Sequence, residues 1–336
     1  MRNVLLLICA LCFGLVQAQA PVALQGKCGA ELKQAIADVY RPSSHVDRLV
    51  GEGSVWAAFR LTDNIDGYVL DRYSTEKRTF SVDGVSPTLG MTIDYIVDLS
   101  WWGENNVYGE VLQYDLYNIL PCDDDVTVNK QDYPPGEVIT ATYNNGVWKS
   151  GYGEIAETVV NMYEPADEYK GDFARAIMYM MTIYPAARWV GLGVNFCVDN
   201  DYPTLNKYAR RVLLSWHRAD PVSDLECNRN NAIEGIQGNR NPYVDYPQLV
   251  EHVWGTESES PFDAVVERVP LKSTYRITEN RIDLYHQSIP EDAEWRVNGV
   301  VVEGSFLLPL ELGVGVHELR YSNSTTKGKI KIKIIE

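Results

Sequence analysis

The chain contains 336 residues, of which 45% are hydrophobic and 23% are charged. This composition is typical of a folded protein with a sizeable core, and it excludes a mainly disordered chain. The formal net charge is −16 at pH 7. Because affinity for phosphate backbones comes from cationic side chains and counterion release, this balance argues against tight nucleic-acid binding by the surface as a whole. A local basic patch remains compatible with it.

The first 20 residues have the pattern of an export signal. Arg2 gives a positive start, residues 4–16 are almost entirely apolar, and residues 18–20 (AQA) form a small-x-small cleavage site. The apolar run is too short to span a bilayer, and no later stretch is long enough to do so. We therefore expect residues 1–20 to be removed and the mature protein to be secreted or held at the cell surface.

Export places the mature chain in an oxidising compartment, where cysteines form disulfides. Four cysteines remain after the signal, and they allow three pairings that the sequence does not rank: Cys28, Cys122, Cys197 and Cys227. After the predicted signal, neither a CxxC nor an HExxH pattern is present. A thiolate-bound metal or a zinc hydrolase site is therefore not expected, whereas disulfides are.

Hydrophobic periodicity predicts both helices and strands in the first half of the chain, helices from residue 172 to 237, and strands after that. Helical patterns cover residues 29–41, 55–61, 172–182, 205–218 and 221–237. Strand patterns cover residues 67–73, 91–100, 275–277, 281–285, 294–302, 316–322 and 327–335. A passage rich in Gly and Asn, at residues 143–153, precedes the helical patterns of the second half. These elements predict an α+β fold, with one domain over residues 21–268 and a small β-sandwich-like module over residues 269–336.

Three strings in the second half of the chain carry a family resemblance. They are residues 171–176 (GDFARA), 213–223 (LLSWHRADPVS) and 237–245 (QGNRNPYVD). In content and order they resemble the secreted bacterial endonuclease I family, over roughly residues 26–255. The resemblance implies a mixed α/β domain with a ββα-metal (His-Me) finger that cleaves DNA or RNA. In such a site a histidine takes a proton from water, and a cation such as Mg²⁺, held by Glu and Asn, stabilises the phosphate charge.

The residues that this family uses in its first catalytic motif are substituted here. The string SWWG at residues 100–103 sets the register. Reading back from it places Asp94 at the metal-binding Glu and Tyr95 at the general-base His. Asp94 keeps a carboxylate of shorter reach. Tyr95 is a poor base, because a phenol with a pKa of about 10 is protonated at neutral pH.

The second catalytic motif is also changed. Thr127 stands at the metal-binding Asn and Lys130 at an Arg expected to contact phosphate. A shifted alignment, with a compensating insertion and deletion, makes Asn129 the ligand instead. Loss of the general base alone removes about 10²- to 10⁴-fold of rate. We therefore expect a nuclease with impaired or lost activity, which needs Mg²⁺ or another divalent cation only if activity remains.

A run of three aspartates offers an alternative cation site. Residues 123–125 (DDD) could bind a cation together with Asp94 or Asp98. The other interpretation of such a charge run is a solvated acidic loop.

Several other charged or titratable side chains have competing interpretations. Glu251 and His252 imitate the missing Glu-His pair but are interpreted as structural, and His217 as a hydrogen-bonded framework residue. Seven arginines either build a basic face for phosphate or pair with neighbouring carboxylates: Arg175, Arg188, Arg210, Arg211, Arg218, Arg229 and Arg240.

The C-terminal module suggests a location. Residues 315–321 (GVHELRY), followed by lysine-rich strands, loosely resemble the sorting domains of type IX secretion. A generic immunoglobulin-like module for stability or adhesion is the alternative. The expected partners are DNA or RNA if the catalytic cleft implied by the family resemblance still binds them. A cell-surface or protein partner is expected if the chain is a non-catalytic binding protein. The sequence leaves the oligomeric state open.

Overall fold

The computed structural model describes residues 22–103, 106–186, 188–263, 271–277, 282–284, 289, 293–302, 306–307, 309–324 and 326–336. Contacts divide the chain into two compact units, one consisting of Ala20–Asp263 and the other including Ala264–Glu336. The predicted signal at residues 1–20 and the predicted boundary between residues 268 and 269 lie outside the described residues. Among those described, no helix has the length and apolar character that crossing a membrane requires.

The larger unit is built around helices. They are α1 Gly29–Tyr40, α2 Val55–Thr62, α3 Asp124–Lys130, α4 Lys170–Ile183, α5 Lys207–Ala219, α6 Asp224–Gln237, α7 Pro242–Asp245 and α8 Leu249–Trp254. Helix α4 is central, because every residue from Phe173 to Ile183 is buried. Helix α6 begins later than predicted, since the Ser223 hydroxyl accepts the Glu226 N–H and fixes the first turn. The other predicted helices are confirmed to within a few residues.

The strands of the larger unit form three small antiparallel sheets. They are β1 Asn64–Ile65, β2 Tyr68–Val69, β3 Met91–Tyr95, β4 Ile119–Asp123, β5 Thr140–Asn144, β6 Lys149–Ile155 and β7 Thr158–Glu164. Strand β1 pairs with β2, β3 pairs with β4, and β5, β6 and β7 form a meander. The predicted strand at residues 91–100 ends at Tyr95, because the Asp98 carboxylate accepts the Ser100 N–H and starts a 3₁₀ turn. The meander was not predicted, because Gly and Asn signal turns.

Strands β3 and β4 and helix α3 form a ββα arrangement. Asp94 lies opposite Leu120 and Tyr95 opposite Ile119 in the paired strands. Helix α3 starts directly after β4, and its first turn is capped by the Asp123 carboxylate, which accepts the Asp125 N–H at 3.0 Å. Together these elements carry all the predicted site residues.

The C-terminal unit is a small β structure. Its elements are β8 Thr274–Arg276, β9 Ile282–Asp283, β10 Glu294–Val297, β11 Val300–Val301, β12 Phe306–Leu307, α9 Pro309–Leu312, β13 Gly315–Ser322 and β14 Lys327–Ile335. A five-stranded sheet has the order β11-β10-β13-β14-β8, with β8 parallel to β14, and β9 pairs with β12. Both sheets contribute to one core that includes Ile282, Trp295, Leu307, Leu319 and Ile332. The predicted α+β class is confirmed.

The four cysteines of the described chain are free thiols, so the expected disulfide does not form among them. They lie in separate places: Cys28 before α1, Cys122 in β4, Cys197 beyond a 3₁₀ turn, and Cys227 in α6. Cys122 and Cys197 are buried, and the Cys197 sulfur lies 3.7 Å from that of Met181. Burial raises the pKa of both thiols. They therefore behave as small apolar core residues.

Candidate catalytic site

Asp94 lies on β3 and is only 6% exposed. One carboxylate oxygen, Oδ1, lies 2.9 Å from the Lys130 ammonium. The other, Oδ2, accepts a hydrogen bond of 2.5 Å from the hydroxyl of buried Tyr73. Burial raises the pKa of Asp94 even though Lys130 lies alongside and acts in the opposite direction. Both oxygens of the predicted metal ligand thus already have partners within the protein.

Lys130 reaches Asp94 from the last turn of α3 and is 2% exposed. Its ammonium also donates to the backbone oxygen of Tyr95 at 2.9 Å and lies 4.5 Å from the centre of the Tyr163 ring. A lysine ammonium is a compact charge with three donors, and these contacts use it fully. The Lys130 ammonium is therefore not exposed for the predicted contact with phosphate.

Tyr95 is half-buried, and its hydroxyl donates to the backbone oxygen of Gln113 at 3.3 Å. Burial, with smaller contributions from Tyr114 and Asp98, raises the pKa of Tyr95 to about 12. A general base must be deprotonated near the working pH. The Tyr95 phenol is thus even less suited to proton abstraction than an exposed tyrosine.

Thr127 and Asn129, the alternative amide or hydroxyl ligands, bond to their own helix. The Thr127 hydroxyl donates to the backbone oxygen of Asp124 at 3.0 Å. The Asn129 amide donates to the backbone oxygen of Asp125 at 2.8 Å. Such local bonds are the usual role of short polar side chains on a helix. Neither side chain is among the hydrogen-bond partners of the Asp94 carboxylate.

The residues present do not fit a divalent cation. In the part of the chain that the structure describes, no group of three or more His, Cys, Asp or Glu side chains is arranged to hold a metal ion. Mg²⁺ is bound by one or two carboxylates together with water and phosphate oxygens, so a site at Asp94 needs a carboxylate oxygen that is not already engaged. Both oxygens of Asp94 have partners, and Asp123 caps α3 and pairs with Arg78 at 2.6 Å.

A cleft of about 860 Å³ opens in the larger unit, away from these side chains. It is lined mainly by residues 65–71, 74–77, 144, 146–149 and 164–169. Asp94, Tyr95, Thr127 and Lys130 do not line it. Asp71, which does, accepts the backbone N–H groups of Tyr73 and Asp123, and burial raises its pKa to about 6.

Ion pairs, some buried and some exposed, account for most of the arginines that could have formed a basic face. Five of the seven pair with carboxylates: Arg175 with Glu226, Arg211 with Glu137, Arg218 with Glu251, Arg229 with Asp63, and Arg240 with Asp245. Asp63 is fully buried and also accepts a hydrogen bond of 2.7 Å from Arg72. Asp63 was not predicted to be an important residue, because nothing in the neighbouring sequence indicates two arginine partners.

The histidines that drew attention in the sequence have structural roles. Glu251 pairs with Arg218 at 2.7 Å, and the His252 Nδ1 atom lies 2.9 Å from the backbone oxygen of Ser260. His217 is buried with Nδ1 3.4 Å from a nitrogen of Arg175, and burial, followed by Arg175, lowers its pKa to about 4. We expect the NMR resonances of the His217 ring to stay at their neutral positions from pH 8 to pH 5. Titration within that range would contradict the described burial.

Comparison with known proteins agrees with this fold. The sequence model of the endonuclease I family matches residues 56–248. The extracellular ribonuclease of Bacillus amyloliquefaciens is 30% identical over 68% of this chain and 75% of its own length. That of Bacillus subtilis is 28% identical over 68% and 76%, and the extracellular deoxyribonuclease of Aeromonas hydrophila is 25% identical over 40% and 50%.

The fold and these similarities define a protein related to extracellular nucleases. The chain belongs to the endonuclease I family. The matched region includes β3, β4 and α3. The predicted site residues Asp94, Tyr95, Thr127 and Lys130 therefore lie within the domain that this chain shares with the family.

Proposed function

We propose that this chain is an exported member of the endonuclease I family that has lost the family's metal-dependent phosphodiester hydrolysis and acts as a binding protein. The observation that carries the proposal is the buried pair between Asp94 and Lys130, at 2.9 Å. An ammonium from the chain itself lies beside the one carboxylate left at the expected metal position. The extracellular relatives support export.

Electrostatics supports the loss of metal binding. Two unit charges 4 Å apart interact by about 4 kcal/mol at an effective dielectric constant of 20. A divalent cation bound to Asp94 would lie near the Lys130 ammonium, and its double charge would roughly double that repulsion. Displacing Lys130 instead would remove its bonds to Asp94 and to the Tyr95 backbone oxygen. Either route opposes cation binding.

The absence of a base supports the same conclusion. Tyr95 stays protonated at neutral pH, because its pKa is raised to about 12. A missing general base lowers rates by about 10²- to 10⁴-fold. The combined loss of base and cation leaves little of the family's chemistry at these positions.

A cleavage assay tests the proposal. The mature chain is incubated with supercoiled plasmid DNA and with single-stranded RNA in Mg²⁺, Mn²⁺, Ca²⁺ or EDTA, beside the Bacillus amyloliquefaciens ribonuclease as a positive control. We expect cleavage no faster than the no-protein background in every condition. We also expect no change in melting temperature with cation, since a ligand at 100 times its Kd adds about 2.7 kcal/mol of stability.

The opposite outcome would support a second candidate, a nuclease with altered ligation, which the 30% identity to an extracellular ribonuclease favours. EDTA-sensitive cleavage that falls at least tenfold in Tyr95→Phe or Thr127→Ala would establish that candidate. Both substitutions remove an oxygen without removing a core contact, so loss of folding would not explain the result. Cleavage that survives both would place the activity elsewhere in the chain.

The route of export and the role of the C-terminal unit are further parts of the proposal. Removal of residues 1–20 and passage through type IX secretion would leave the mature chain in the medium or on the cell surface. Deleting residues 269–336 and measuring the extracellular fraction separates a sorting module from an immunoglobulin-like module. Retention inside the cell is the result expected of a sorting module.

A further inference from the structure

The basic charge of the C-terminal unit is concentrated on one face of its sheet. Residues 269–336 contain nine basic and nine acidic side chains, so the acidic excess of the chain lies before them. Side chains alternate between the two faces of a strand. One face of the five-stranded sheet is the buried core, with Tyr275, Trp295, Leu319, Ile332 and Ile334. The opposite face is solvent-exposed.

Strand β14 contributes four lysines to the exposed face: Lys327, Lys329, Lys331 and Lys333. The strand register brings further cations to the same face. Arg320 on β13 lies opposite Lys329, and Arg296 on β10 lies opposite Arg320. Arg276 on β8 lies opposite Ile335. We call this set of seven basic side chains the basic face.

Two acidic side chains, Glu294 and Glu318, share the face and neutralise part of it. Glu294 pairs with Arg296 at 2.9 Å, and Glu318 pairs with Arg320 at 2.7 Å and with Lys329 at 3.4 Å. Lys327, Lys331 and Lys333 have no ion-pair partner among the described residues. Like charges on neighbouring positions of a sheet are destabilising. The stability of the fold therefore does not explain this arrangement.

We infer that the basic face binds nucleic acid through its phosphate backbone. Successive lysines on one side of a strand are about 7 Å apart, so the four span about 20 Å. Along a duplex, each strand carries a phosphate every ~3.4 Å of helix axis, so a stretch of this length presents about six phosphates per strand. Lysine binds phosphate as a point charge and reads no base edge. Binding is therefore independent of sequence.

The composition of the face favours nucleic acid over a lipid surface. Proteins that lie on membranes place aromatic and large apolar side chains beside their basic ones. The apolar side chains exposed here are Val301 and Val316, while Trp295 is buried on the other side. The absence of an aromatic side chain on the described strands of this face also removes base stacking. Duplex DNA is therefore expected to bind at least as well as a single strand.

The choice of nucleic acid among polyanions rests on the proposed function, because the relatives of this chain are named as nucleases. It is tested with the mature protein and a fluorescein-labelled 20-base-pair DNA duplex, by anisotropy from 50 to 300 mM NaCl. We expect affinity to fall with salt, with a slope of about −0.9 per phosphate contact. The triple variant Lys327→Gln, Lys331→Gln, Lys333→Gln should reduce the slope by about 2–3 and weaken binding roughly 10- to 100-fold at 50 mM.

A matched control changes the net charge equally in the other unit. Arg48→Gln, Arg60→Gln and Lys207→Gln replace three exposed cations outside every site discussed above, and this variant should bind like the parent. Because all six side chains are exposed, neither variant should lower the melting temperature, and removing the repulsion among the lysines should leave that of the lysine variant equal to or above the parent's.

Three results would overturn the inference: no binding of duplex at 50 mM salt, an unchanged salt slope in the Lys327, Lys331 and Lys333 variant, or equal weakening in the control. Binding to phosphatidylserine vesicles or heparin without binding to duplex would also overturn it and would identify a different polyanion. Failure of the proposed function is distinguishable from failure of the inference about the basic face. Metal-dependent cleavage with an intact effect of the lysine substitutions would refute the loss of catalysis and leave the basic face in place.

Discussion

Replacing Lys130 with methionine should lower the free energy of unfolding by about 3–5 kcal/mol at pH 7, because it leaves the Asp94 carboxylate buried without its cation. The two groups are 2% and 6% exposed, so water cannot substitute for the lost partner. Tyr73 would remain as a hydrogen-bond donor, but it carries no charge. Urea unfolding followed by tryptophan fluorescence measures the change.

The loss of stability in Lys130→Met should depend on pH. Burial already raises the pKa of Asp94, and loss of Lys130 raises it further. A carboxyl group with a raised pKa binds more protons when folded than when unfolded, so stability falls as the pH rises between the two values. The deficit of Lys130→Met is therefore smallest below pH 4 and grows toward neutral pH.

Two further variants separate charge from packing. The double variant Asp94→Asn, Lys130→Met removes both charges and should recover most of the lost stability. Lys149→Met breaks a partly exposed pair with Glu164 and should cost less than about 1 kcal/mol. If Lys130→Met costs no more than Lys149→Met, the buried pair is not as described, and the argument against a cation at Asp94 loses its basis.

The second large effect is expected from Asp63→Asn. Asp63 is fully buried between the guanidinium groups of Arg72 and Arg229, at 2.7 and 3.0 Å. Removing its charge leaves two buried cations without their shared anion, which should lower the free energy of unfolding by about 3–5 kcal/mol. Urea unfolding of parent and variant at matched pH measures it.

The pKa of Asp63 is shifted in the opposite direction to that of Asp94, so the contribution of the Asp63 carboxylate to stability depends on pH in the opposite sense. Burial alone would raise the pKa of Asp63, but Arg229 and Arg72 hold it below its ordinary value. Its stabilising contribution is therefore present above the ordinary carboxyl range, near pH 4, and is lost as the pH falls through the lower folded value. The difference between parent and Asp63→Asn should shrink in acid.

A surface pair provides the comparison for this prediction. Glu137→Gln, which breaks the exposed pair with Arg211, should leave unfolding unchanged within error at every pH. An Asp63→Asn variant as stable as Glu137→Gln would show that the arginines gain no net stabilisation from Asp63.

The helices and the substitutions were readable in the sequence. The apolar spacing of α1, α4 and α5 is a local property, because residues three and four apart share one side of a helix. The strings at residues 213–223 and 237–245 indicated the family before any fold was known. The string at residues 100–103 predicted Tyr95 at the position of the general base, and the second catalytic motif predicted Thr127 at that of the metal-binding Asn.

The β5–β7 meander and the state of the cysteines were not predictable in the same way. Gly151 has a positive φ of 155° and lies against the backbone of Thr140, which a side chain would prevent, so a glycine that signals a turn is here required inside a strand. Export made disulfides a reasonable expectation for Cys28, Cys122, Cys197 and Cys227. Whether two sulfurs meet depends on the packing of elements far apart in sequence.

By itself, the sequence determined the family, and it predicted which chemical groups stand at the family's catalytic positions, because a motif is read residue by residue. Only the tertiary structure decided what those groups contact. Lys130 meets the backbone of Tyr95 across 35 positions in the chain, and Asp63 meets Arg229 across 166. The lysine alternation on β14 was visible in the sequence, but its alignment with Arg320 and Arg296 follows from the strand order. The physical reason is that helical and strand periodicity is local, whereas the partner of a buried charge is set by how distant elements pack.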